Sequence, residues 1–218
     1  IIRREISDKL IALAGQYPVV TLTGPRQSGK TTLCRHLFPE KKYFSLEDPA
    51  TRRFAGDDPR AFLQACLEPG AVIDEFQRLP ELPSYIQGLV DGHGGKGLFI
   101  LTGSQNFQLM SQVSQSLAGR TALLTLLPFS FTELHGTTRV EVTDLLYRGF
   151  YPRIFDQGLN PTEALSYYLA TYIERDVRML LNVRDLRSFE LFVRLCAGRT
   201  GQILNASAAE TLFGVRAT

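Results

Sequence analysis

The stretch Val19-Val20-Thr21-Leu22-Thr23-Gly24-Pro25-Arg26-Gln27-Ser28-Gly29-Lys30-Thr31-Thr32-Leu33-Cys34 decides the fold of this chain. An apolar, β-branched run enters a loop of the form G-x-x-x-x-G-K-[ST], and the loop opens a helix with Leu33 and Leu37 on its inward face and Pro39 limiting its length. Strand, glycine loop and helix in that order let successive backbone N–H groups point inward at the positive end of a helix, where anions are stabilised. The expected phosphate cradle is Gly24, Pro25, Arg26, Gln27, Ser28, Gly29, Lys30, Thr31 and Thr32. Lys30 reaches the β- and γ-phosphates of a nucleotide as a point charge, and the Thr31 hydroxyl ligates Mg²⁺.

Hydrolysis needs a held metal and an activated water as well, so an acidic residue is expected at the end of an apolar strand. Ala71-Val72-Ile73-Asp74-Glu75-Phe76 supplies two. Asp74 holds Mg²⁺ through its water shell, and Glu75 polarises the attacking water as general base. The N-K-x-D motif that reads guanine is absent, which favours ATP over GTP. A further apolar run, Gly97-Leu98-Phe99-Ile100-Leu101-Thr102-Gly103-Ser104, reads as a strand covered on both faces. Ligand contacts gather at the carboxyl ends of such strands, so Thr102, Ser104 and Gln105 are placed to sense the γ-phosphate or hold the water; Ser104 also reads as a helix cap. Gly92-His93-Gly94-Gly95-Lys96-Gly97 fits G-x-G-x-x-G, but it follows a helical pattern and precedes a strand, the reverse of a dinucleotide fingerprint.

Composition sets the outer bounds. The 218 residues are 44% hydrophobic and 21% charged, an ordinary globular balance with room for one core and part of a second. Lys+Arg 24 against Asp+Glu 22 leaves a formal charge of +2, which argues neither for a nucleic-acid coat nor for a membrane surface. Cys34, Cys66 and Cys196 show no metal-ligand spacing and read as small core residues in a reducing compartment. No run approaches a membrane span and the start lacks a secretory pattern, so the cytoplasm is expected. The chain starts without Met and ends at Arg216-Ala217-Thr218, as a fragment would.

The ordered set Gly24 to Leu33, then Ile73-Asp74-Glu75-Phe76-Gln77-Arg78-Leu79-Pro80-Glu81-Leu82, then Leu101-Thr102-Gly103-Ser104, then Ser116-Leu117-Ala118-Gly119-Arg120, resembles the prokaryotic AAA-type (AAA+) P-loop ATPases that carry a C-terminal domain of unknown function. The resemblance implies a three-layer α/β/α fold with a mainly parallel sheet of the additional-strand kind. Its strands lie near Phe44, Val72, Ile100, Leu124 and Val20, with the sensor strand between those of Walker A and Walker B. It carries the Walker A roles to Lys30 and Thr31, Walker B to Asp74 and Glu75, and sensor I to Ser104, where Asn is common in AAA proteins at large. Arg120 becomes a candidate arginine finger acting in trans in a homo-oligomer, with a salt-bridged structural arginine as the other reading.

The ATPase domain is expected over 1–150 and a helical second domain over 151–218. Asn160-Pro161-Thr162-Glu163 reads as a helix start, and Leu165, Tyr168, Leu169 and Tyr172 share one face. These aromatics read as core before they read as a base-stacking platform. A second helix runs around Leu186, Phe189, Phe192, Val193 and Cys196, stopped by Gly198. Glu174, Arg175, Asp176 and Arg178 form a solvated or interdomain face. Ser207-Ala208-Ala209-Glu210 through Thr218 reads as the first part of a winged-helix-like helix-turn-helix; such elements pack between domains at least as often as they bind DNA, and no basic recognition surface stands in this stretch, so a DNA or protein partner is only weakly indicated. The expected function is Mg²⁺-dependent ATP hydrolysis coupled to conformational change or remodelling of a partner. A nucleotide-gated DNA- or protein-interaction module with little hydrolysis and a P-loop kinase stay open beside it.

Overall fold

Apolar runs without polar alternation require cover on both faces, and the strands are buried accordingly. The computed structural model of the chain describes residues 2–104, 115–172 and 186–202. Strand β1 (Val19–Gly24) is buried along its whole length, as is β3 (Ala71–Asp74); β4 (Phe99–Ser104) is buried up to its last residue. Among the described residues these join β2 (Lys42–Ser45) and β5 (Thr121–Thr125) in a five-stranded sheet of order β2-β3-β4-β1-β5. Every pairing is parallel. The fold is thus the expected α/β P-loop arrangement, with β4 between β1 and β3.

Alternate residues of the strands feed two cores. On one face Val19, Ala71, Ile73, Phe99 and Leu101 pack with Phe62, Leu63, Leu82 and Ile86 of α4 (Pro59–Cys66) and α5 (Leu82–His93). On the other, Val20, Leu22, Val72 and Ile100 meet Leu10 of α1 (Ser7–Ala14) and Leu33 and Cys34 of α2 (Lys30–Leu37). Helix α3 (Pro49–Asp57) and α4 each begin with Asp-Pro: Asp48 accepts from Thr51 N–H at 2.8 Å and Asp58 from Ala61 N–H at 2.9 Å, satisfying first-turn donors. Phe44 and Phe54 both meet Phe62 edge-on, at ring separations of 5.1 and 5.7 Å. Helix α5 ends at His93 and β4 starts at Phe99, so the glycine-rich segment between them is a helix-to-strand connection.

Register brings the site together. Gly24 lies opposite Ser104, and Asp74 lies opposite both Thr102 and Ser45, so the carboxyl ends of four strands finish along one edge.

By contact, the chain divides into two compact units, Ile1–Leu159 and Asn160–Thr218. The first unit also holds α6 (Phe131–His135), α7 (Val142–Arg148) and α8 (Pro152–Asp156). Phe129 N–H donates to the Phe150 carbonyl at 2.9 Å, its ring meets Phe155 at 6.2 Å, and Pro152 and Ile154 are buried. In the second unit α9 (Pro161–Tyr172) is capped by Asn160, whose side chain accepts from Glu163 N–H at 3.3 Å, and α10 spans Leu186–Gly198.

Leu165, Tyr168, Leu169 and Tyr172 are half-buried, with Tyr168 and Tyr172 stacked at 6.2 Å. Cys34 and Cys66 are buried as expected, but Cys196 is only half-buried; among the second unit's described residues Pro161 alone is fully buried. Gln105, the charged group at 174–178 and the helix-turn-helix pattern at 207–218 lie outside the described residues. Among the described residues no helix is long and apolar enough to cross a membrane.

Candidate functional site

The glycine loop leaves β1 at Gly24 and enters α2 through Gly29, whose φ of +93° no side-chain-bearing residue adopts without strain. Gln27, at φ +60°, holds a second left-handed position between them. Lys30 is 6% exposed and folds back over the loop, its Nζ donating to the Gly24 carbonyl at 2.9 Å and the Pro25 carbonyl at 2.8 Å. Burial pushes its pKa below the usual lysine value against the opposing pull of Glu75 and Asp74, and Arg26 adds to the lowering. Among the described residues the ammonium hydrogen-bonds only to these neutral carbonyls, contacts that an anion would replace favourably. The Ser28 hydroxyl is buried with no hydrogen-bond partner among the described residues.

Asp74 ends β3 at 6% exposure with both carboxylate oxygens occupied. Thr31 Oγ1 and the Tyr43 hydroxyl each donate to Oδ2 at 2.8 Å; Thr102 Oγ1 and the Glu75 N–H, the latter at 3.1 Å, donate to Oδ1. Burial first, and then the neighbouring Asp74, push the Tyr43 phenol up to about 12, so it stays a donor, and the Arg35 guanidinium lies over its ring at 4.9 Å.

Glu75 sits at φ +54°, ψ +41°, turning the chain off the strand into a short 3₁₀ turn at Phe76–Arg78. Its Oε2 accepts from Gln77 Nε2 at 2.5 Å. Burial raises the Glu75 carboxyl above its ordinary value, with Arg26 the main opposing charge and Asp74 and Glu47 adding to the rise. A proton acceptor tuned upward beside a phosphate loop suits general-base work. Gln77 Oε1 is buried without a partner among the described residues and lies against Gly103, where any Cβ would collide with it.

The structure therefore brings together the loop from Gly24 to Thr32, Lys30, Asp74, Glu75 and Ser104, whose buried hydroxyl is also unpartnered among the described residues. Thr102 is on the same edge but serves Asp74. Arg120 is elsewhere. It precedes β5 at the amino edge of the sheet, where its carbonyl accepts from Val19 N–H, and its guanidinium grips Asp91 with Nε at 2.5 Å and Nη2 at 2.8 Å. Three residues at the site have no role assigned from the sequence: Tyr43, Gln77 and Arg4, which donates to the Ser28 carbonyl from the amino terminus at 2.9 Å. A signal existed for the partner of Arg4 alone, since Ser130-x-x-Glu133 has capping-box spacing and forms one.

A family described as "AAA domain" matches residues 16–135, more than half the chain. The chain belongs to that AAA domain family. Residues 139–218 match a family described as "Domain of unknown function (DUF8612)". Two curated relatives, uncharacterized protein Mb2031c of Mycobacterium bovis and uncharacterized protein Rv2008c of Mycobacterium tuberculosis, are each 36% identical over 189 residues, covering 82% of this chain and 40% of the relative. The chain thus spans about two fifths of the length of the curated relatives it matches. Among solved structures, the Walker-type ATPase PABY2304 of Pyrococcus abyssi superimposes with a TM-score of 0.58 at 15% identity, covering 98% of this chain and 90% of that one, a likeness of fold.

In this AAA domain, Gly103→Ala must push Gln77 off the sheet, with the Phe76 ring 3.3 Å from the new carbon leaving little room to yield. Overpacking of that kind lowers stability by about 1–3 kcal/mol. Urea denaturation followed by circular dichroism measures it, and an unchanged midpoint would show that Gln77 is not held by this contact.

Proposed function

We propose that this chain binds ATP with Mg²⁺ at the loop from Gly24 to Thr32 and hydrolyses it, driving conformational change or remodelling of a partner. The observation that carries the reading is the hydrogen bond from Thr31 to Asp74 with Glu75 next in line, which draws phosphate loop, metal-binding carboxylate and base to one edge of the sheet. Membership in the AAA domain family supports nucleotide binding, and the Walker-type ATPase fold of PABY2304 agrees with it. The residues present fit the groups: a desolvated Lys30 hydrogen-bonds only to neutral carbonyls among the described residues, two buried hydroxyls, Ser28 and Ser104, lack partners among them, and Thr31 and Asp74 offer hard oxygen ligands suited to Mg²⁺.

The chemistry follows from those positions. Backbone N–H groups of the loop and Lys30 hold the phosphates, Lys30 exchanging its two carbonyl contacts for phosphate oxygens. Thr31 and Asp74 would hold Mg²⁺, which when bound neutralises charge on the β- and γ-phosphates. Glu75 takes a proton from water as the water oxygen bonds to the γ-phosphorus. The bond from that phosphorus to the bridging oxygen breaks, and ADP leaves with its electron pair. Ser104 is placed to orient the γ-phosphate or the water. For Arg120, the two-point grip on Asp91 at the far edge supports the structural reading over the arginine finger. A DNA or protein partner for the second unit, and a homo-oligomer, stay within the proposal.

Lys30→Ala should weaken ATP binding by about 10- to 100-fold, the loss of charge-assisted contacts, measured by calorimetric titration. Glu75→Gln should keep binding and lower turnover by about 10²- to 10⁴-fold. Because burial raises the Glu75 carboxyl, and the base works only when ionised, turnover should fall on acidification with a midpoint above the usual glutamate value of about 4.3. Normal turnover in Glu75→Gln, or an acid limb at or below that value, contradicts the assignment of the base. Arg120→Ala should leave turnover per chain unchanged at all protein concentrations; a loss that grows with concentration would restore the finger reading.

A further inference from the structure

Arg4 stands before the stretch matched by the AAA domain family, yet it is 6% exposed and reaches the loop. Its Nη1 donates to the Ser28 carbonyl at 2.9 Å, Nη2 to the Leu127 and Pro128 carbonyls at 2.7 and 3.2 Å, and Nε to Glu133 at 3.0 Å. The guanidinium lies over the Phe129 ring at 4.7 Å. Glu133 is itself fixed, accepting from Ser130 N–H at 2.9 Å and Glu5 N–H at 2.7 Å. Burial alone would raise the Glu133 carboxyl, but those two N–H groups and Arg4 together hold it below its ordinary value, so the pair is ionised at neutral pH.

The consequence concerns one peptide plane. The Ser28–Gly29 bond is trans, so its N–H points opposite to its carbonyl. Arg4 binds that carbonyl from outside the loop, which aims the Gly29 N–H inward, where a phosphate is held. A cation on the carbonyl also polarises the peptide and makes the N–H a stronger donor. A Cβ on Gly29 would lie 3.7 Å from Arg4 Nη1, which places the guanidinium directly against the turn. We infer that Arg4 is a positioning residue for the phosphate loop: through its bond to the Ser28 carbonyl it orients the Ser28–Gly29 peptide for anion binding.

The inference rests on the nucleotide reading above, and calorimetric titration of the full chain with ATP and Mg²⁺ separates the two. Glu133→Gln keeps the capping pattern and leaves Arg4 free to bind Ser28, whereas Glu133→Gln combined with Arg4→Met removes both buried charges, so that neither is left unpaired, and removes the Ser28 contact with them. The single variant should bind ATP within about twofold of the unsubstituted chain, and the double variant about tenfold more weakly than the single one, the worth of one charge-assisted bond. Turnover at saturating ATP should be alike in both, because the contact acts on binding and not on Glu75. Equal affinity of the two variants overturns the inference, as does a loss in Glu133→Gln as large as in the double variant, which would mark a general loss of stability. No binding by the unsubstituted chain overturns the nucleotide reading itself. Should the double variant not fold, the Arg4 side-chain ¹⁵N resonance of the unsubstituted chain decides: it moves on ATP addition if Arg4 holds the loop, and an unmoved signal at saturation contradicts it.

Discussion

The carboxylate of Asp74 is the constraint on which the site depends. A polar group buried to this extent needs its oxygens hydrogen-bonded, and Asp74 gathers donors from the start of α2, from β2, from β4 and from the peptide that follows it. Those donors coincide only if the strands end level, which the parallel register achieves by setting Asp74 opposite Thr102 and Ser45. Two apolar cores, fed by alternate residues of the same strands, hold that register from both faces. One side chain therefore ties the phosphate loop to three strands, and a metal ligated there would inherit a carboxyl group already oriented.

What was legible in the sequence was local. The run from Val19 to Leu37 carries its own periodicities and turn chemistry, so strand, loop and helix follow within one continuous segment. The same holds for the apolar strands ending at Asp74 and Ser104, and for the Asn160-Pro161 helix start. The place of the sensor strand between those of Walker A and Walker B rests on family resemblance, since spacing alone places no strand beside another. Tyr43, Gln77 and Arg4 escaped because their partners lie across the fold or depend on a backbone turn. Arg4 meets Glu133 across 129 positions, and no periodicity joins them. Gln77 reaches Glu75 only because Glu75 adopts a left-handed conformation that a glutamate seldom takes. For Arg120 the family context is legible and a salt-bridged role is one of its two readings, but the partner Asp91, 29 residues upstream, carries no signal of the pairing.

Arg4 and Asp74 hold the loop from opposite ends. Asp74 fixes the hydroxyl of Thr31 just inside α2, and Arg4 fixes the carbonyl of Ser28 just before it. Between them stands Gly29, in a conformation of no use to any other residue. The same guanidinium binds the carbonyls of Leu127 and Pro128 and the carboxylate of α6, so the loop is mechanically continuous with the segment that follows β5.

The central claim is that the loop from Gly24 to Thr32 takes a nucleotide's phosphates on its backbone N–H groups. The amide spectrum of the ¹⁵N-labelled chain, recorded as ATP and Mg²⁺ are added, tests it most directly. The account predicts that the N–H resonances from Arg26 to Thr32 shift together and saturate, while those around Arg120, at the opposite edge of the sheet, stay in place. Loop resonances that do not move at saturating ATP, or shifts confined to residues elsewhere, would contradict it.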